Sequence, residues 1–145
     1  MTPPSEEPSP LEPRHEALAD FAARCDAIEE AYEFMLAYAA QGLPTEEGST
    51  SGSQIRTYLR KCEAALTGLC DAVTSAVRRM GVDSTAPYDA FVVVVERDVR
   101  SAQAAVALVL AQPSISSQLV DNLNASIHLR AVLTDLFLLD EVLKK

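Results

Sequence analysis

The 145-residue chain has no tryptophan, only 5 glycines and only 2 histidines, His15 and His128. Scarce glycine argues against a turn-rich β fold, and a hydrophobic share of 48% suits packed helices. The usual signatures of catalysis are missing as well: there is no glycine-rich phosphate loop, no CxxC, no HExxH and no GxSxG. A ferritin-like di-iron centre needs two Glu-x-x-His pairs on separate helices, and His128 has no Glu three residues before it. No metal or cofactor is expected. The longest uncharged apolar piece, Ser101 to Ala111, is about half what a bilayer requires. A formal charge of −9 argues against nucleic acid or an anionic membrane as the general partner, since both need a basic face. Three cysteines and an acidic, proline-rich start, MTPPSEEPSP, where a secretory signal needs a basic end and an apolar core, lead us to expect reduced thiols in a cytoplasmic protein.

What is present is apolar periodicity. The most apolar stretch, Tyr88 to Ala111, puts Tyr88, Val92, Val95, Val99, Ala102, Val106 and Val109 in one seam of alternating four and three spacing. Phe91, Val95, Asp98, Ala102, Ala105 and Val109 form a second, overlapping seam, as in a helix that sits between neighbours. Before it, Leu18, Phe21, Cys25, Ile28, Tyr32, Met35 and Ala39 mark one helix. Ile55, Leu59, Cys62, Leu66, Leu69, Val73, Ala76 and Met80 mark another. Gly42, Gly81 and Pro113 supply stops.

The predicted fold is all-α, an antiparallel up-down-up-down four-helix bundle with helices at about 12–41, 53–80, 87–112 and 115–143. One bundle domain fills 12–145, preceded by a flexible Pro/Glu-rich tail over 1–11. The last helix is apolar nearly all round past Ala131, more than one bundle partner can cover. Leu136, Phe137, Leu139 and Leu143 are therefore the expected dimer interface.

Folding the helices back on one another sets the polar residues at one height. Arg24, Cys25 and Asp26 come level with Cys70 and Asp71, then with Arg97 and Asp98, then with His128 and Arg130. Asp98 interrupts an apolar seam and needs a partner or a changed pKa, which Arg130 or His128 at that height could supply. The candidate ligand-binding residues are thus Asp98, His128, Arg130, Arg97, Asp71 and Cys25. Two readings of this waist stand side by side. One is a buried ion-pair layer that fixes helix register. The other is a small polar pocket with His128 as its titrating group.

The run His128 to Thr134 is similar to the H-x-L-R-x-x-L phosphoacceptor helix of sensor kinases, which also lies in a helical bundle. It departs from that pattern by one residue between His and Leu and has no acidic residue after the His, so the chain is not assigned to that family. Two functions follow from the sequence. The first is a non-enzymatic accessory or regulatory bundle acting through protein contacts, with itself as a homodimer and with another protein. The second is a small-molecule-binding or catalytic bundle using the waist around Asp98 and His128.

Overall fold

The computed structural model describes residues 12–143, and the tail expected over 1–11 lies outside them. All the regular elements among the described residues are helices: α1 Glu12–Ala40, α2 Thr50–Leu66, α3 Leu69–Arg79, α4 Ala86–Leu110, α5 Ser117–Ala125 and α6 His128–Leu143. The all-α expectation holds, but there are six helices where four were expected, because two of the expected rods are broken.

The first break has a visible cause. α2 ends at Leu66, and Gly68 takes a left-handed backbone with φ 84° that an L side chain adopts only at a cost. The carbonyls freed there gain a donor from across the bundle: Arg24 Nη1 donates to Ala65 O at 3.2 Å and Thr67 O at 2.7 Å. The second break is at Ile127, a β-branched residue at φ 63° between α5 and α6. Each helix that follows a loop starts with sequence chemistry that fits. Ser49 Oγ accepts from Gly52 N and Ser116 Oγ from Leu119 N, while Pro87 lies in the first turn of α4, where its missing N–H costs nothing.

α1 packs against α2, α3, α5 and α6, and α4 packs against α2, α3, α5 and α6. Nearly the whole second seam is buried, from Ile55 to Ala76, as is Val95 to Val109 on α4. On α1 the buried stripe is Phe21, Ile28, Ala31, Met35 and Tyr38, with Leu18, Cys25, Tyr32 and Ala39 only partly covered. The α1 seam is thus rotated from the expected one toward Tyr38, whose hydroxyl donates to Ile115 O at 2.5 Å.

That bond belongs to a polar clasp joining two connections. Arg56 donates to both carboxylate oxygens of Glu46 and also to Leu110 O and Gln112 O. Glu46 Oε1 accepts from Ile115 N, while Ser117 Oγ accepts from Leu43 N and donates to Tyr38 O. The loops after α1 and α4 are therefore held to each other, to Arg56 in the second turn of α2 and to Ser117 at the start of α5.

Candidate functional site

α4 and α6 lie against each other, and each brings one carboxyl to the contact. Asp98 is half-buried on α4, and Asp135 is only 9% exposed on α6. The Asp98 carboxyl lies within hydrogen-bonding reach of the Asp135 side chain, and Asp135 Oδ2 is buried with no donor among the described residues. Two carboxyls this close disfavour double ionisation. Burial foremost, then the hydrogen bond and charge of Asp98, pushes the Asp135 carboxyl up from 3.8 to about 7. Asp135 therefore changes charge near neutrality.

The outer side of the same contact is apolar. Tyr88, Phe91, Leu138, Leu139 and Val142 line a hollow of about 300 Å³ where α4 begins and α6 ends. Leu139, one turn past Asp135, belongs to its wall. At the far end of the α4 stripe, Leu108 stands 66% exposed beside a second hollow that Ala105, Leu119 and His128 help to line. Between them, Phe91, Val94, Asp98, Ser101, Ala105 and Leu108 follow one four-three stripe on α4, with Val94 43% exposed.

The expected waist residues are spread over the molecule. Arg97, His128 and Arg130 are exposed, and among the described residues none of them forms an ion pair with Asp98. The group that Asp98 meets is another acid. Asp71 is exposed on α3, on a groove that it shares with Arg24 and Arg79. Cys25 is half-buried on α1, and burial, followed by the charges of Asp140, Glu29 and Asp26, pushes its thiol up to about 12. Cys62, fully buried, is likewise raised to about 12. Neither thiol is a nucleophile near neutral pH.

The expected interface residues divide in two. Leu136, Leu139 and Leu143 are buried in the chain's own core, and Phe137 is 52% exposed. α6 is apolar all round because it meets α1 and α5 as well as α4, which uses up three of the four leucine and phenylalanine positions. The apolar surface left over is Phe137, Leu138 and Val142.

Reading the sequence missed Asp135, and a signal for it was there. His128, Val132, Asp135, Leu139 and Val142 form a four-three stripe on α6, interrupted by an acid much as Asp98 interrupts the stripe on α4. Among the described residues no group of three or more His, Cys, Asp or Glu is placed to hold a metal ion, and no helix is long and apolar enough to cross a membrane. Comparison with protein-family models, curated proteins and solved structures finds no match.

Proposed function

We propose that this chain is a helical-bundle protein that acts through protein contacts, as an accessory or regulatory component that self-associates as a homodimer. In this reading α2 with α3, and α5 with α6, act as two broken rods beside α1 and α4 in an up-down-up-down bundle. One observation carries it: Val94 and Leu108 on α4 and Phe137, Leu138 and Val142 on α6 expose apolar side chains to water on neighbouring helices. Scattered apolar residues are ordinary on a protein surface, but a stripe with a hollow at one end is the kind of surface that partners cover. Sedimentation velocity at tens of micromolar protein tests it. The expected result is a dimer for the wild type and a monomer of unchanged melting temperature for Leu138→Glu. A wild-type monomer at every pH overturns it.

A second reading has its own observation. The hollow beside Leu139 lies one turn from a carboxyl pair that changes charge near neutrality, a combination that suits a small apolar ligand with one polar group. Titration with the apolar fluorophore ANS, with and without Leu138→Trp to fill the hollow, separates the two readings. Binding that the tryptophan abolishes in a monomeric protein favours the ligand site.

A further inference from the structure

Building on the self-association reading, we infer that two copies pair through the α4/α6 furrow about a twofold axis at Asp98 and Asp135, and that the dimer weakens when each Asp98–Asp135 pair carries a second negative charge.

The geometry of a knob and a hole leads to the axis. Leu108 protrudes at one end of the α4 stripe, and the hollow lined by Tyr88, Phe91 and Leu138 opens at the other. In a twofold contact each knob must meet the partner's hole, and knob and hole must be equidistant from the axis. The residue of the stripe midway between them is Asp98. Antiparallel pairing of α4 with its symmetry mate then seats Leu108 of each copy in the hollow of the other. The size is adequate. From Pro87 to Leu108 the furrow is about 32 Å long and two helices, about 20 Å, wide, so a pair of copies buries roughly 1,200 Å², at the lower edge of stable interfaces.

This placement has an electrostatic consequence. The two Asp98 carboxyls face each other across the axis, in surface that loses water on pairing, each backed by the buried Asp135. While Asp135 holds its proton each copy brings one negative charge there, and Arg97 is exposed one residue away on α4. When the proton leaves to solvent, each copy brings two, and four carboxylates meet in a desolvated contact, where like charges repel most strongly. The other ionisable groups on the elements around Asp135 differ in character. α4 carries Asp89, Arg97 and the Glu96–Arg100 ion pair, and α6 itself carries His128, Arg130, Asp140 and Glu141. α1 carries Asp26 and Glu29 beside the Cys25 thiol, which stays neutral throughout the range. Among these, His128 is the group whose contribution must be separated from that of the pair.

The test is sedimentation velocity of the full chain over a concentration series from about pH 6 to about pH 8.5, with Asp135→Asn, Asp98→Asn, His128→Gln and Leu108→Glu alongside. Either Asn variant keeps a single charge on the pair at every pH, so one suffices if the other does not fold. The expected result has three parts. The wild-type dissociation constant rises at least about tenfold across the range. The Asn variants stay dimeric with no such rise, while His128→Gln behaves as wild type. Leu108→Glu is a folded monomer. A wild-type dimer whose strength ignores pH, or Asn variants that keep the wild-type rise, overturns the proton gate and leaves self-association standing. A dimer that survives Leu108→Glu overturns the furrow as its surface. A monomer at every pH overturns both.

Discussion

Arg56 reaches Glu46 with two nitrogens, Nη2 at 2.7 Å and Nε at 2.8 Å, and with the rest of its guanidinium closes off the carbonyls of Leu110 and Gln112. One side chain thus serves an ion pair and two chain connections far apart in sequence. Arg56→Met removes all five of its hydrogen bonds and leaves Glu46 partly buried without its cation. The expected loss is roughly 2 to 3 kcal/mol, less than for a fully buried pair because both side chains keep some solvent contact. Chemical denaturation measures it, and a change within experimental error would show the clasp to be ornamental.

Gly52 provides a test in which two effects have opposite signs. It sits in the first turn of α2, where helix propensity alone favours alanine by about 1 kcal/mol. A Cβ there would overlap the Glu46 carbonyl, which is main chain and cannot step aside. Overlap is expected to win, and Gly52→Ala should cost about 3 kcal/mol. The comparison is Gly48→Ala, at φ 84° with nothing within 4 Å of its Cβ, which should cost only about 1 kcal/mol of backbone strain. Equal melting temperatures for the two variants would contradict the argument.

Two acids give stability a pH profile with opposite limbs. Asp135 holds its proton more tightly folded than unfolded, so its contribution is complete below 3.8 and is lost as pH rises toward about 7. Glu46 runs the other way. The Arg56 hydrogen bonds hold its carboxyl below the usual 4.5, so its contribution is present above 4.5 and is lost as pH falls below that value. Together they place the optimum between the two limbs, near pH 4 to 5. Asp135→Asn should flatten the alkaline limb, whose slope is at most about 1.4 kcal/mol per pH unit. Thermal melts of wild type and variant from about pH 4 to about pH 8 measure the difference.

The cysteines should be slow to react. With the Cys25 and Cys62 thiols pushed up to about 12, alkylation by iodoacetamide at neutral pH should be slow at both, and at Cys62 it should require unfolding. Mass spectrometry of timed reactions gives the outcome. Rapid labelling of Cys62 in the native protein would mean that α2 opens on its own.

Much of the helical content was legible, and the errors share a cause. The Ile55 to Ala76 stripe and the Val95 to Val109 stripe are buried as their spacing predicts, since burial of an apolar face is what a helical period records. The breaks were not legible. Thr67–Gly68 interrupts a stripe whose apolar spacing continues unbroken across it, so periodicity gave no warning. Ile127, β-branched, is among the last residues one would place at positive φ. Straight rods also misplaced the heights. α5 leans on α1 as well as α4, and α6 then meets α4 in a register that brings Asp135, not Arg130, to Asp98. Glu46 and Arg56 were hidden for another reason: one lies in a loop, and no period reveals the partner of a loop residue.

The clasp makes the two ends of the molecule unequal in how they open. Hydrogen bonds from Tyr38 to Ile115 and from Arg56 to Leu110 bridge residues 77 and 54 positions apart, so local melting cannot release them one at a time. At the other end, the start of α4 and the last turns of α6 meet around an apolar hollow. Amide protons near the clasp should exchange with solvent only when the whole chain unfolds, and those of the final turns of α6 far sooner. The protein is clasped at one end and held by apolar packing at the other, and the α4/α6 furrow lies along its side between the two.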